Sequence, residues 1–209
     1  MKLKEIRRAV YLLAVFAAWT ALVMYSDVSP IGPKGSVVGL STMNKWVHDQ
    51  TGVHMELYRI TDWLSMLPVG IAFGFAMLGF AQWVRRKRIG KVDRSILLLG
   101  GFYILVMAAY LFFEVWVVNY RPVVINGILE ASYPSSTTVL TICVMLTAEI
   151  QLRIRVQNKM MNGLGTGLII LFTVLMVMGR MVSGVHWFSD IIGGILLSAG
   201  LVKLYQALL

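Results

Sequence analysis

Residues 95–118 read SILLLGGFYILVMAAYLFFEVWVV, twenty-four residues with a single charged side chain, Glu114. As a helix this stretch extends about 36 Å at 1.5 Å per residue, enough to cross a hydrocarbon core of about 30 Å. It has no polar face to turn toward water, so its solvent must be lipid. Five further stretches have the same character: Ala9–Tyr25, Trp63–Trp83, Ser135–Ile154, Gly163–Val182 and Phe188–Leu209. The expected fold class is therefore all-α, a polytopic membrane helix bundle of six transmembrane helices.

Composition agrees. Hydrophobic residues make up 58% of the 209 and charged residues 14%, where a soluble domain carries about 25% charged. Mean hydropathy is +0.75. The net charge of +9 is informative by its placement rather than its sum. Lys2, Lys4, Arg7 and Arg8 precede the first span, Arg85, Arg86, Lys87, Arg88, Lys91 and Arg94 lie between the second and third, and Arg153, Arg155 and Lys159 follow the fourth. Thirteen of the nineteen basic residues thus fall on one side, which the positive-inside rule makes cytoplasmic. Six spans then put both termini in the cytoplasm, and a nucleic-acid partner is not expected. The basic start and apolar run of the first span imitate a signal peptide, but no small-residue cleavage site precedes Asp27, so it is expected to be retained. The lone cysteine, Cys143, lies in an apolar run, matches no metal-site spacing and reads as a buried small side chain. Residues 1–209 read as one integral-membrane domain.

The long non-cytoplasmic loop, residues 26–62, is not featureless. Leu40–Trp46 and Val53–Trp63 mix apolar and polar residues at helical spacing, with Trp46 and Trp63 suited to a membrane interface. These segments read as helices lying on the outer leaflet, or as a lid over a lipid site.

Chemistry concentrates at the ends of the spans on that same side, within residues 95–209. The third span runs into Asn119-Tyr120-Arg121-Pro122; the fourth opens with Tyr133-Pro134-Ser135-Ser136-Thr137-Thr138; Gly179-Arg180 and Ser183–Asp190 bracket the turn between the fifth and sixth. Ionisable groups at such depth mark function by default. Two arginines offer planar forks for phosphate. Pro134-Ser135-Ser136 reads as a helix start, where hydroxyls and N–H groups favour an anion. His186 and Asp190, four apart, share a helix face; an aspartate accepting one imidazole N–H leaves the other nitrogen free to attack. Each cluster has a plainer use, as snorkelling anchors, a helix cap or a tie between helix ends. Their convergence on one side favours a phosphate site.

The set resembles the type 2 phosphatidic acid phosphatase family, membrane lipid phosphatases related to vanadium haloperoxidases. That family carries lysine, six residues, arginine-proline; then proline-serine-glycine-histidine; then serine-arginine, five residues, histidine, three residues, aspartate. Here Arg121-Pro122, Pro134-Ser135, and Arg180, His186 and Asp190 match in order and spacing. The resemblance implies that His186 is a nucleophile forming a phosphohistidine and that Asp190 orients it. Arg121, Ser135, Ser136, Thr137 and Arg180 would hold the phosphoryl oxygens. It further implies a phosphorylated membrane lipid as substrate, no metal or other cofactor, and a multi-pass cell-membrane protein with its site on the non-cytoplasmic side.

Four positions depart from the pattern. Glu114 stands at the family's lysine, two turns from Arg121 and within reach of an arginine; Ser136 and Thr137 replace glycine and histidine, and Gly179 replaces serine. The general-acid histidine is therefore absent. A lipid alkoxide leaves poorly without a proton, whereas a phosphate leaving group departs with little help, so a polyprenyl diphosphate is favoured over a phospholipid phosphate. His48, His54, Tyr133 or Glu130 would be other proton sources. A non-catalytic phospholipid-binding or lipid-transport protein, and a phosphotransferase, are the rival readings. Nothing in the sequence sets an oligomeric state.

Overall fold

The computed structural model describes residues 2–209. Its helices are α1 (Lys2–Tyr25), α2 (Ser41–Thr51), α3 (Met55–Leu64), α4 (Met66–Arg86), α5 (Arg94–Val115), α6 (Ser136–Arg155), α7 (Lys159–Val182) and α8 (Phe188–Leu208). Six helical runs are long and apolar enough to span a membrane, with α3 and α4 counting as one. The protein is an all-helical, six-span bundle.

The inner pair is α6 and α8, each 56% buried along its apolar stretch, against 11% for α7. The polar threonines, serines and glycines that softened these two spans in sequence are what permit close helix approach. The outer helices turn Phe73, Ile104 and Leu168 outward, as lipid contact requires. Antiparallel to α8 runs α1: Trp19 Nε1 donates to the Ser189 carbonyl at 3.1 Å, and Leu13 packs on Gly200 farther down. Tyr133 is clamped between Phe16 and Phe113 and shares a 2.7 Å hydrogen bond with Thr20.

Basic residues gather at the opposite end. Asp93 accepts from Arg86 at 3.0 Å and from Arg155 at 3.3 Å, joining the α4–α5 turn to the end of α6. Hydrogen bonds from Gln82 and then Arg86 hold its carboxyl below the usual range. Because α1 is antiparallel to α8, both chain ends lie at this basic end.

Two boundaries differ from the sequence reading. The second span does not begin at Trp63: Ser65 keeps helical angles (φ −65°, ψ −16°), so Met55–Arg86 is one run of 32 residues. That is about 48 Å, longer than the hydrocarbon core, and α3 is left standing beside the end of α7. The third span stops at Val115 rather than Val118, because the chain bends at Trp116 (φ −95°, ψ 80°) into a short hairpin.

Candidate active site

The hairpin after α5 turns on Asn126 (φ 51°) and Gly127 (φ 79°), the paired positive φ values of a type I′ turn. Its arms pair Tyr120 with Ala131, Arg121 N–H with the Glu130 carbonyl (3.0 Å) and Ser132 N–H with the Asn119 carbonyl (2.9 Å). Four polar side chains, Asn119, Arg121, Glu130 and Ser132, are thereby fixed against the start of α8. The other wall is the α7–α8 turn. There Gly184 adopts φ +68°, and a Cβ on it would lie 1.9 Å from the Gly52 carbonyl oxygen. The loop between α2 and α3 is latched to this turn by His54 N–H donating to the Ser183 carbonyl at 3.0 Å.

Asp190 is fully buried and saturated by donors. Its Oδ2 accepts the Trp187 N–H at 2.9 Å, closing the first turn of α8, and the Ser132 hydroxyl. Its Oδ1 accepts from Asn119 Nδ2 at 3.2 Å. His186 Nδ1 faces the same carboxylate at 3.8 Å, beyond hydrogen-bond length, and has no other partner. His186 Nε2 lies 3.3 Å from Arg121 Nη1. Since arginine only donates, Nε2 is the acceptor and the proton belongs on Nδ1, toward Asp190. Burial, then the charges of Arg121 and Arg180, push the imidazole down to about 4, against the opposing pull of Asp190. The ring is thus neutral at physiological pH.

Both arginines are buried yet only partly engaged. Arg121 Nε lies 3.0 Å from Glu130 Oε2, but its N–H is not aligned for a hydrogen bond. The carboxylate partner of Arg121 is thus Glu130, and Glu114 forms no ion pair among the described residues. Arg180 Nη2 donates to Thr137 Oγ1 and to Asp62 Oδ1 at 3.2 Å; its guanidinium stacks 4.9 Å over the Tyr58 ring. Arg180 Nε and Nη1 have no partner. Ser135 is buried, receives the Thr138 hydroxyl at 3.0 Å and donates its N–H to the Asp190 carbonyl at 3.1 Å. That N–H is therefore not free for an anion, whereas those of Ser136 and Thr137, in the first turn of α6, have no acceptor within the helix. Gly179, where the family pattern has serine, lies under α3: a Cβ there would meet Thr61 Cγ2 at 2.7 Å.

Of the residues singled out in sequence, Arg121, His186 and Asp190 meet directly, as do Arg180 and Thr137. Ser135 supports Asp190, and Ser136 faces a cavity. That cavity, about 390 Å³, runs between α4, α5 and α6, with Val69, Ala72, Val106 and Phe113 below and Glu114, Ser136 and Thr137 at its upper end. Sequence reading missed Asp62, Tyr58, Ser132 and Asn44. Asn126-Gly127 was a usable signal for the hairpin that positions Ser132. Asp62 could have been sought as the carboxylate that a buried Arg180 needs. Asn44, which bonds the Ser189 N–H at 2.9 Å and Oγ at 2.9 Å, left no local signal.

No protein of curated function matches this chain. Its fold is similar to the crystal structure of a transmembrane PAP2 type phosphatidylglycerolphosphate phosphatase from Bacillus subtilis, at a TM-score of 0.57 and 16% identity, covering 95% of this chain and 94% of that one. The family model described as PAP2 superfamily matches residues 69–208, which include every matched motif position and most of the bundle, and the chain belongs to that superfamily.

Proposed function

We propose that this PAP2 membrane protein is a metal-independent lipid phosphatase that cleaves a phosphorylated lipid headgroup, a phospholipid phosphate or a polyprenyl diphosphate, through attack by His186. The observation that carries this reading is a knot of buried nitrogens without a hydrogen bond: Arg180 Nε and Nη1 and His186 Nδ1, with Arg121 Nε beside Glu130 Oε2 but out of alignment. A buried donor left unmade costs about 1–3 kcal/mol. Three guanidinium nitrogens beside one neutral imidazole are what a phosphoryl group would satisfy. Stabilisation of charge on its equatorial oxygens is the main catalytic requirement of phosphoryl transfer.

The steps follow from the geometry. Phosphoryl oxygens draw Arg121 from Nε2 of His186, and the freed lone pair attacks phosphorus. As positive charge develops on the ring, Nδ1–H closes onto Asp190, whose other donors keep it ionised and in place. Arg180, Thr137 and the first turn of α6 hold the remaining oxygens. The apolar cavity below receives a lipid tail. Positive-inside placement of the basic end puts the site on the non-cytoplasmic face of the cell membrane.

A phospholipid-binding protein without turnover is the second reading, favoured by Thr137 at the acid position and by the open 3.8 Å gap between His186 and Asp190. Phosphate release from a panel of lipid phosphates, native protein against His186→Ala, separates the two. The phosphatase reading expects loss of at least about 10³-fold in the variant; equal rates would remove it, and tight lipid binding without release would install its rival. Acid-labile phosphate on His186 in quenched reactions would distinguish covalent catalysis from direct attack by water.

A further inference from the structure

We propose that Glu114 is the proton donor to the leaving group, and that it makes a lipid monoester rather than a diphosphate the preferred substrate; this rests on the phosphatase reading above. In-line transfer puts the leaving oxygen on the far side of phosphorus from His186. The lipid tail hangs from that oxygen, so the oxygen sits where the phosphate pocket meets the apolar cavity. Glu114 lines the cavity together with Ser136 and Thr137, and Thr137 is bound to Arg180. The carboxyl therefore stands on the leaving-group side of the phosphoryl site.

Other candidates on this wall are committed. Tyr133 bonds Thr20, Tyr103 bonds Thr147 at 3.0 Å, and Ser132 donates to Asp190. Beyond the wall, Glu130 is paired with Arg121 and Asp62 with Arg180. His48 packs on the Trp187 ring at 5.4 Å, on the α2 side of the turn. Glu114 has no ion pair among the described residues; its polar neighbour is the Tyr110 hydroxyl, one turn back on α5. The acid missing from α6 is thus replaced from α5, across the cavity.

The proton balance is complete. In the first half-reaction the P–O bond to the lipid breaks, the electron pair stays on oxygen, and the Glu114 carboxyl supplies the proton that makes an alcohol. In the second, the Glu114 carboxylate takes a proton from the water that enters the vacated position. That water attacks phosphorus, the P–N bond breaks, and His186 recovers its lone pair. A diphosphate would put its inner phosphate beside Glu114, where the carboxylate formed in catalysis repels it. The sequence-level preference for a diphosphate rested on the lack of an acid, and Glu114 supplies one.

The test is leaving-group dependence in purified full-length protein, using a long-chain alkyl phosphate, an aryl phosphate with a weakly basic leaving group, and a polyprenyl diphosphate. For Glu114→Gln the expected result, read as single-turnover release of the leaving group so that only the first half-reaction counts, is a fall of about 10²–10⁴-fold on the alkyl phosphate, with the aryl phosphate and the diphosphate within a few-fold of native. Glu114→Lys is expected to raise diphosphate turnover relative to the monoester. Single-turnover release from the aryl phosphate doubles as the check that the variants fold. Equal loss on alkyl and aryl substrates, or an unchanged alkyl rate, overturns the role of Glu114 while His186→Ala still abolishes activity. Native turnover matched by His186→Ala would overturn the phosphatase reading and this inference with it.

Discussion

Arg180 is held by an ion pair, a hydroxyl and an aromatic face at once, the first two through Nη2 and the third through the guanidinium plane. Lysine would keep the charge but lose the fork and the stacking plane. Arg180→Lys is therefore expected to lower kcat/KM for a lipid phosphate by about 10²-fold, the effect of one lost transition-state donor, while the protein still purifies as a folded species. An unchanged rate would mean that Arg180 only anchors α3 through Asp62. His186 has a separate signature. With its imidazole lowered to about 4 from an ordinary value of about 6.5, the unfolded chain binds a proton that the folded one refuses. Stability contributed by this group is present above about pH 6.5 and is lost as pH falls toward 4. Asp93 and Asp27, both lowered from 3.8, likewise lose their contribution as pH falls, but mainly below that value, so the His186 window lies above theirs. Thermal unfolding in detergent between pH 7 and 4.5 is expected to show a steeper acid loss in native protein than in His186→Gln; parallel curves would mean the ring is not buried neutral.

At the scale of elements, the site depends on a strap that is remote in sequence. Asn44 on α2 ties the first turn of α8 to the chain at Gly39, accepting the Ser189 N–H and donating to the Gly39 carbonyl at 2.8 Å. Asn44→Ala would strand a buried N–H and is expected to cost about 1–3 kcal/mol, read as a lower unfolding temperature together with lost activity. Gly184→Ala should be worse: left-handed backbone alone costs an alanine about 1 kcal/mol or more, and the new Cβ meets the Gly52 carbonyl. Activity lost with the unfolding temperature unchanged would show instead that the turn merely aims His186. These elements also mark where the sequence was legible. The spans were readable because lipid as solvent imposes a long apolar run whatever the tertiary partners. Arg180, His186 and Asp190 could be singled out together because they lie close in sequence, on either side of the α7–α8 turn. Asn44, Asp62 and Ser132 were not, since their partners lie 145, 118 and 58 residues away and nothing local forces them to be polar. The Val115 end of α5 was hidden for a related reason: Trp116, Val117 and Val118 are apolar, but the chain leaves the helix at Trp116 to reach the hairpin, whose pairing begins at Asn119.

The whole molecule is a bundle with a basic end, an end that carries the candidate site and a seam between them. The cavity beneath the site shares Ala72 and Tyr103 with a second, about 290 Å³, that continues along α4 and α5 to Trp83 and Ile89. From Val69 to Trp83 the seam covers about 21 Å of helix, most of a bilayer's hydrocarbon depth; its polar groups, Glu114, Ser132, Ser136 and Thr137 among them, belong to the first cavity, and the second is lined by apolar residues with Tyr103 and Trp83. α4 is the least enclosed of the spans, so the seam borders directly on lipid. Under the proposed function a substrate would enter sideways from the bilayer, headgroup at the arginines and one chain along the seam. Ala72 marks the junction together with Tyr103, since both line the two cavities. Ala72→Trp is expected to raise KM for a long-chain lipid phosphate by about 10–100-fold, the 1–3 kcal/mol typical of overfilling an apolar site, and to leave a short-chain phosphate unaffected. Equal effects on long and short chains would place the tail elsewhere. The direction of this path is set by topology: the seam descends from the phosphate site toward the basic end, which the positive-inside rule assigns to the cytoplasm. In a Cys143→Ser background, a membrane-impermeant thiol reagent applied to intact cells is expected to label Lys45→Cys on α2 and to reach Lys87→Cys only after permeabilisation. The reverse pattern would turn the site toward the cytoplasm, and the headgroups offered to it would then be those of the inner leaflet.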